Sequence, residues 1–285
     1  MKEGNNKSTQ KLNLKSLLSP QKKITYKLIA ESDVKKSKGI VDLKLIKADL
    51  QQLKDPPITP WERKICANRL PFSFYNVPCT ILAKNILGKI LVRKLDNGII
   101  LKGKIVETES YLGIADKASH TYQGKVTPRN IPMYMLPGTI YVYITYGMYH
   151  CFNISSQEKG SAVLIRSLEP LEGIAQMREN RNDKVHSKSP KKLLKELKIH
   201  DLCNGPSKMC ISMQIEKKHS KYSMCDWNGL WIEDNVIQEE MKIVECPRIG
   251  IKSAGDEWAH KPLRYYVYGH KCVSKRDKII EAALF

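Results

Sequence analysis

Residues Thr139 to Ser156 read TIYVYITYGMYHCFNISS, and this stretch decides which fold the sequence predicts. Aromatic and β-branched residues dominate it, as they do in strands. The pair Tyr146-Gly147 interrupts the pattern, so we predict a strand on each side of it, joined by a tight turn. Tyr146 and Met148 then lie at the hairpin tip. A large apolar side chain in such a place either folds back onto the core or is kept for a binding partner.

The chain from Arg69 onwards mixes strands and helices in the same way. Asp96-Asn97-Gly98 is a strong hairpin turn between two apolar runs. Strands are predicted at 90–95, 99–111, 139–145, 148–155, 161–167, 246–251 and 263–268. Helices are predicted at 80–87, 172–178 and 190–198, from Gly205, and after a capping box formed by Ser274 and Asp277. Antiparallel hairpins with peripheral helices indicate one mixed α+β domain at residues 69–285.

Residues 1–68 differ in composition from the domain that follows. The first 60 residues hold 13 Lys and no Arg against 6 acidic residues, and such polar runs cannot bury a core. We predict a disordered Lys-rich tail, which either carries a nuclear import signal and nonspecific affinity for nucleic acid or is merely solvated. A mitochondrial transit peptide would be Arg-rich. The expected location is therefore the nucleus, with the mitochondrion as the alternative.

The composition limits the classes of partner and site. The net charge is +19 and the isoelectric point is about 9.5. Such an excess attracts nucleic acid or an anionic membrane surface, although a merely Lys-rich soluble protein has the same charge. The eight cysteines form no CxxC pair, and the lone HxxC of His200 and Cys203 suits helix packing. We expect no metal site, free thiols in a reducing compartment, and no membrane insertion, since no long apolar run is present.

Two carboxylates alternate with other residues in the string IVETESY at 105–111. Because strand side chains alternate, Glu107, Glu109 and Tyr111 share one face. Two carboxylates and a ring on one face are unusual for a packed sheet, whereas alternating Glu is common on a solvated one. The segment therefore either carries acid–base chemistry or faces water.

Arg166 interrupts the apolar string VLIRS, where a guanidinium requires a carboxylate or phosphate partner. Glu109 is one candidate, and Glu107 or Glu169 would instead make a structural pair. Asn153 also lies among apolar residues and needs hydrogen-bond partners. It is therefore either structural or a reader of a ligand.

Several long strings together resemble the alkyladenine DNA glycosylase family, also called the methylpurine DNA glycosylases. The strings are IVETESYLG, TPRN, PGTIYVYITYGMYHCFNISS, VLIRSLEPLEG, GPSK and KPLRYYV, in this order between Arg69 and Asp277. Such a series is far more specific than one short motif. The resemblance implies an enzyme that flips a damaged purine out of duplex DNA and hydrolyses its N-glycosidic bond without a cofactor. It also implies a fold similar to the C-terminal domain of formyltransferases.

The resemblance assigns roles to positions that match the family's motifs. Glu109 matches the general base, and Arg166 matches an arginine that helps to hold the nucleophilic water. Four residues match the pocket around the flipped base: Tyr111, His120, Tyr143 and Asn153. Four more match contacts with DNA: Tyr146, Met148, Thr127 and Arg129. The resemblance thus implies a complete catalytic and binding site.

The resemblance also makes a prediction about the hairpin register. Asn153 is expected to crowd the 2-amino group of guanine, so it must share a pocket with Tyr143. A two-residue loop at Tyr146-Gly147 would pair Asn153 with Ile140, on the face opposite to Tyr143. We therefore predict a three-residue loop or a bulge at this tip.

Two other functions remain open from the sequence. A nucleic-acid-binding protein without catalysis would use the same charge and aromatic residues but would not need Glu109. A formyl- or acyl-transferase would need a cofactor loop, and the sequence has no glycine-rich phosphate loop. The favoured prediction is a monomeric, monofunctional glycosylase, because no Lys matches the general-base position. Its expected substrates are 3-methyladenine, 7-methylguanine, hypoxanthine and ethenoadenine in double-stranded DNA, with later base-excision repair proteins as further partners.

Overall fold

The computed structural model describes residues 59–186, 197–235 and 240–284. It begins with helix α1, Pro60–Ile65. The Thr59 hydroxyl accepts from the Glu62 backbone N–H, while the Glu62 carboxylate accepts from the Thr59 N–H and pairs with Lys94. This capped helix lies inside the predicted tail, so the boundary predicted at Arg69 is too late. The tail before Thr59 and most of the helix predicted at 190–198 lie outside the described residues.

The remaining elements follow in chain order. The helices are α2 (Phe72–Tyr75), α3 (Cys79–Asn85), α4 (Ile174–His186), α5 (Ile199–Leu202), α6 (Pro206–Ser212), α7 (Asp256–His260) and α8 (Lys278–Leu284). The strands are β1 (Ile90–Lys94), β2 (Ile100–Tyr111), β3 (Ile140–Thr145), β4 (Tyr149–Ser155), β5 (Ala162–Glu172), β6 (Leu230–Glu233), β7 (Ile243–Cys246) and β8 (Arg264–Val267). Short 3₁₀ turns lie at Gly113–Ala115, Tyr122–Gly124, Ile131–Tyr134, Lys217–His219 and Lys252–Ala254.

All the strands of the described residues join in one antiparallel sheet centred on β2. The order along the sheet is β3-β4-β5-β2-β1-β6. Residues 107–109 of β2 also pair with β8, which in turn pairs with β7. The mixed domain with antiparallel hairpins is therefore confirmed, whereas the likeness to formyltransferases stays a prediction. None of the described helices is both long and apolar enough to cross a membrane.

The main apolar core lies between one face of the sheet and helices α3, α4 and α6. Its fully buried members include Leu82, Ile105, Ile140, Phe152, Ile154, Val163, Ile165 and Met209. Burying one such side chain contributes about 1.5–3 kcal/mol. Tyr141, Tyr143 and Asn153 alternate with the core residues of β3 and β4, so they lie on the opposite face of the sheet.

Irregular pairing between β2 and β5 moves the acidic residues away from this core. Ile105 pairs with Leu168, but Glu107 pairs with Ser167, so Val106 is an extra residue on β2. Thr108 then pairs with Ile165, which leaves Arg166 as an extra residue on β5. Such bulges redirect side chains. Here they separate the face of Glu107 from that of the core residue Ile105.

Two other sequence predictions are wrong for local reasons. The strand predicted at 246–251 ends at Cys246, because Pro247 has no N–H to continue the ladder. The capping box predicted for Ser274 and Asp277 is absent from the described helix α8, whose Ile280 N–H donates to the Asp277 side chain. Ser274 instead donates to the Glu107 carboxylate through both its N–H and its hydroxyl. Both exceptions supply groups to the buried polar site described below.

Candidate active site

The carboxylate of Glu109 is fully buried and surrounded by donors. Its Oε2 accepts the Tyr111 hydroxyl proton at 2.9 Å. Its Oε1 accepts from the Ile249 backbone N–H at 2.8 Å and lies 3.1 Å from Nη1 of Arg166. In each of these contacts a carboxylate oxygen faces a hydrogen-bond donor. The alternative of a solvated strand face is therefore wrong.

Arg166 joins the two glutamates of β2. Besides its contact with Glu109, its Nε donates to Glu107 Oε1 at 3.0 Å. The sequence left Glu107, Glu109 and Glu169 open as partners, and the structure selects the first two. Glu169 pairs with Lys104 and His270 instead. Burial alone would lower the pKa of Arg166, but the carboxylates of Glu109 and Glu107 raise it, so the guanidinium stays charged.

Glu107 has a different environment from Glu109. It accepts from Arg166, Arg264, Ser167 and both donors of Ser274, at 2.7 to 3.0 Å. Burial raises the pKa of the Glu107 carboxyl, but Arg166 and the Ser274 hydrogen bonds outweigh burial and lower it. Four residues thus supply five donors to the Glu107 carboxylate. It acts as the structural counter-ion that holds Arg166, while Glu109 lies beside the aromatic pocket.

Tyr143, His120 and Tyr141 form a cluster of rings, which we call the aromatic pocket because two of them match the family's base pocket. The His120 ring meets Tyr143 edge-on with centroids 4.6 Å apart, and its Nδ1 lies 2.9 Å from the Tyr141 hydroxyl. Burial, then the neighbouring Glu109 and Tyr143, raises the pKa of Tyr111. Burial, then Arg129 and Lys125, lowers the pKa of His120 to about 4. His120 is therefore a neutral hydrogen-bonding ring at pH 7.

The β3–β4 hairpin has the register that a shared pocket requires. Tyr141 pairs with Asn153, and Thr145 pairs with Tyr149 across the loop Tyr146-Gly147-Met148. The predicted three-residue loop is thus confirmed, and Asn153 shares the face of Tyr143. The Asn153 side-chain N–H₂ donates to the carbonyls of Tyr141 at 3.1 Å and Cys151 at 3.3 Å. Its amide orientation is therefore fixed by the hairpin itself.

The hairpin tip is exposed rather than folded back onto the core. Tyr146 is 87% exposed and Met148 is 46% exposed. Tyr146 and Gly147 both have positive φ, 51° and 65°. A non-glycine residue in this region is uncommon. The alternative of a tip packed on the core is wrong, and Tyr146 projects into solvent.

Thr127 and Arg129 lie on the loop that borders His120. The Asn130 side chain accepts from the Thr127 N–H at 2.7 Å and donates to the His120 carbonyl at 2.8 Å. The Thr127 hydroxyl accepts from the Asn130 N–H at 3.3 Å, so Thr127 mainly braces the loop. The exposed Arg129 guanidinium lies 6.0 Å from the Tyr143 ring centroid. Arg129 thus stands at the rim of the pocket.

Sequence reasoning missed five residues of this region: Asp116, Asn130, Tyr141, Arg248 and Ile249. Strand alternation could have found Tyr141, because it has the same parity as Tyr143. The other four act through backbone groups or long-range pairing, for which the sequence shows no pattern. Among the described residues, no group of three or more His, Cys, Asp or Glu is arranged to hold a metal ion.

A cleft of about 700 Å³ borders the loop that brings Ile249 to Glu109. Its cationic lining residues are Arg248, Lys252, Arg264, Lys275, Arg276 and Lys278. Asp256 and Asp277 are its acidic ones. Three of these cations are paired with carboxylates outside the lining: Arg248 with Asp116, Arg264 with Glu107, and Arg276 with Glu281.

The chain is similar to known proteins over most of its described length. A family model described as methylpurine-DNA glycosylase matches residues 73–271. The "DNA-3-methyladenine glycosylase" of Homo sapiens is 45% identical over 214 residues, which cover 75% of this chain and 70% of the human protein. The protein of that name from Mus musculus is 44% identical over 75% of this chain and 64% of its own length. A "Putative 3-methyladenine DNA glycosylase" of Clostridium perfringens is 45% identical over 73% of this chain and 100% of its own length. The chain thus spans about two thirds of the mammalian relatives.

Proposed function

The chain belongs to the methylpurine-DNA glycosylase family, and on that premise we propose that it is a monofunctional DNA-3-methyladenine glycosylase. It releases damaged purines from DNA by hydrolysis and leaves abasic sites, the first step of base excision repair. One observation carries the proposal. The buried Glu109 carboxylate is held by Arg166, the Tyr111 hydroxyl and the Ile249 N–H beside an aromatic pocket.

Glu109 is the general base of the proposed reaction. It takes a proton from a water molecule, whose oxygen bonds to C1′ of the deoxyribose while the N-glycosidic bond breaks. The bonding electron pair leaves with the base, and the carboxylate stabilises the positive charge that develops on the sugar. The contacts found for Glu109 among the described residues include no Lys amine, which supports hydrolysis over a Schiff-base route.

Arg166 keeps this base in place. Its guanidinium is fixed on the other side by Glu107 and Ser274, so it cannot swing away from Glu109. Its Nη1 lies 3.1 Å from Glu109 Oε1. Arg166 therefore helps to position Glu109 and the water on which it acts.

The flipped base fits the aromatic pocket. A base inside duplex DNA cannot be attacked, and its extrusion costs a few kcal/mol. Stacking on rings such as Tyr111 and Tyr143 returns about 1–3 kcal/mol per base. The ring faces also favour cationic purines such as 3-methyladenine and 7-methylguanine. For neutral purines such as hypoxanthine and ethenoadenine, the leaving base must gain a proton.

Asn153 supplies the proposed discrimination against guanine. Guanine differs from hypoxanthine by the 2-amino group, so a pocket that rejects guanine must sense that position. The Asn153 amide is held by two carbonyls of its own hairpin, so it cannot rotate away without losing both hydrogen bonds. A fixed side chain that clashes with one substituent excludes the wrong base more strongly than a mobile one.

The surface around the pocket suits double-stranded DNA. Tyr146 at the exposed tip fills the gap that the flipped nucleotide leaves in the base stack, and Met148 contacts the DNA groove beside it. Arg129 and Thr127 contact the sugar–phosphate backbone of the DNA, and the net charge of +19 attracts its phosphates. We place the protein in the nucleus as a monomer, with the mitochondrion as the alternative location.

A lesion panel tests the proposed function. Duplex oligonucleotides carrying 3-methyladenine, 7-methylguanine, hypoxanthine or ethenoadenine are incubated with the protein, and released base is quantified. Borohydride is added in parallel to trap any Schiff base. We expect base release without a trapped protein–DNA adduct. Binding without release from any lesion would favour a nucleic-acid-binding protein, and a trapped adduct would exclude the monofunctional mechanism.

A further inference from the structure

A buried ion pair between Asp116 and Arg248 connects three parts of the site. Both side chains are fully inaccessible to solvent. The guanidinium contacts both carboxylate oxygens, with Nη2 2.9 Å from Oδ1 and Nη1 beside Oδ2. Such a two-pronged pair fixes direction as well as distance. We infer that Asp116 and Arg248 are positioning residues, which hold Tyr111 and the Ile249 N–H against Glu109. This inference rests on the proposed function.

Arg248 fixes the part of strand β2 that carries Tyr111. Its Nη1 donates to the Ser110 carbonyl at 2.9 Å, between Glu109 and Tyr111 in the chain. Its guanidinium carbon lies 4.7 Å from the centroid of the Tyr111 ring. A planar guanidinium stacks on an aromatic ring in a way that a lysine ammonium cannot reproduce. Arg248 therefore supports one face of Tyr111 and leaves the other face for the base.

Arg248 also determines where the next residue in the chain lies. Ile249 follows it directly, and the Ile249 N–H donates to Glu109 Oε1 at 2.8 Å. On the other side, the Pro247 carbonyl accepts from Arg264 Nε at 2.9 Å. The loop is thus held before and at Arg248, so the Ile249 N–H cannot move independently of the ion pair.

Asp116 extends the same support to the histidine side of the pocket. Its carboxylate accepts from the backbone N–H groups of Leu112 at 3.0 Å and Ala118 at 2.9 Å. These bonds close the loop that leads from Tyr111 to His120. The Ser119 N–H donates to the Asp116 carbonyl at 2.9 Å. One carboxylate thus ties Tyr111, the His120 loop and, through Arg248, the Glu109 donor into one unit.

Arg93 offers a matched control for a purely structural role. It is also a buried arginine, 2% exposed, and its guanidinium lies 5.6 Å from the Trp227 ring centroid. It donates to the Gly229 carbonyl at 2.9 Å. Arg93 shares burial, ring contact and carbonyl bonding with Arg248, but its contacts are with the β1 region and the residues around Trp227. Any general cost of a buried Arg→Lys change therefore appears in both variants.

The test compares Arg248→Lys with Arg93→Lys in single-turnover release of hypoxanthine from duplex DNA. Burst amplitude and circular dichroism give the folded, active fraction, and the rate constant is read separately from it. We expect both variants to melt at lower temperature. The rate constant of Arg248→Lys should fall about 10- to 100-fold, since misplacing a catalytic group by about 1 Å costs about 10²-fold. That of Arg93→Lys should stay within about twofold of wild type.

Equilibrium binding of the same duplex gives a second readout that a merely structural role would not change. The Ile249 N–H donates to the Glu109 carboxylate, which acts in the chemical step. Its displacement should therefore lower the rate constant of Arg248→Lys by more than it lowers the affinity for the hypoxanthine duplex, whereas Arg93→Lys should show no such split.

Asp116→Asn keeps the inference testable if Arg248→Lys does not fold. It preserves the side-chain volume but removes the negative charge that orients the guanidinium, and it should lower the rate constant in the same way. Equal rate constants for the Arg248→Lys, Arg93→Lys and wild-type proteins would overturn the inference while leaving the proposed function intact. No base release by the wild-type protein would overturn both.

Discussion

Replacing Arg166 with Met tests whether the buried charges form one balanced unit. Arg166 lies 3.0 Å from Glu107 and 3.1 Å from Glu109, and both carboxylates are fully buried. Methionine keeps an apolar stem of similar length but removes the cation. Glu107 then retains Arg264, whereas Glu109 retains only neutral donors among the contacts described for it, the Tyr111 hydroxyl and the Ile249 N–H.

The expected cost follows from burial. Removing one partner of a buried ion pair typically destabilises a protein by about 3–5 kcal/mol, because the other charge stays desolvated. We expect a loss in this range at pH 8. Glu107 has a lowered pKa in the native protein, so its stabilising contribution is present above its ordinary value of 4.5 and is lost as pH falls further. The difference between variant and wild type should therefore shrink near pH 4.

Urea unfolding at pH 8 and pH 4 measures both effects. The matched control is Lys89→Met, which removes a partner of Asp234 from a much more exposed pair. Exposed pairs contribute about 0–1 kcal/mol, so this variant should change little at either pH. A loss of less than about 1 kcal/mol for Arg166→Met at pH 8, equal to that of Lys89→Met, would refute the reasoning.

Three further predictions concern the pocket and the tail. Burial lowers the pKa of His120 from 6.5 to about 4, so the unfolded chain binds a proton at higher pH than the folded protein, and the free energy of unfolding should fall from pH 6.5 towards pH 4. A His120→Gln variant should lose this part of the pH dependence. An NMR titration midpoint near 6.5 for His120 would contradict the prediction. Asn153→Ala should raise the ratio of guanine release to hypoxanthine release, and both rates should also fall somewhat because the two hydrogen bonds that hold Asn153 are lost. An unchanged ratio, with both activities falling together, would make Asn153 a structural support. Deleting residues 1–58 should leave the melting temperature unchanged and reduce the salt dependence of DNA binding. Deleting residues 1–68 also removes the Glu62–Lys94 pair and should lower the melting temperature. Equal salt dependence of binding for the full chain and both deletions would show that the tail does not contact DNA.

The sequence predicted the elements that local patterns specify. The Asp96-Asn97-Gly98 turn and the two strands of the β3–β4 hairpin were accessible, because strand periodicity and turn chemistry are local properties. The three-residue loop at the hairpin tip followed instead from the family resemblance. A buried carboxylate partner for Arg166 was predictable as well, since a guanidinium within an apolar strand must find one, but the sequence left the choice of glutamate open. The sequence thus predicted that a buried charge is paired.

The rest depends on contacts between distant parts of the chain. Simple alternation places Ile105 and Glu107 on one face, but the bulge at Val106 separates them, and its position is set by pairing with β5. The apolar string after Cys246 resembles a strand, yet Pro247 ends the ladder and Ile249 contributes its backbone to Glu109. No local pattern links Asp116 to Arg248. The sequence and its family resemblance therefore supply the candidate side chains but not the backbone that positions them.

The most direct test of the account compares wild type with Glu109→Gln. Glutamine preserves the size of the side chain but cannot take a proton from water, and a general base contributes about 10²–10⁴-fold to the rate. The two proteins are measured for single-turnover release of hypoxanthine and for equilibrium binding to the same duplex. We expect Glu109→Gln to bind the lesion with nearly wild-type affinity and to release base at least about 100-fold more slowly. Release at more than a few per cent of the wild-type rate would show that Glu109 is not the general base.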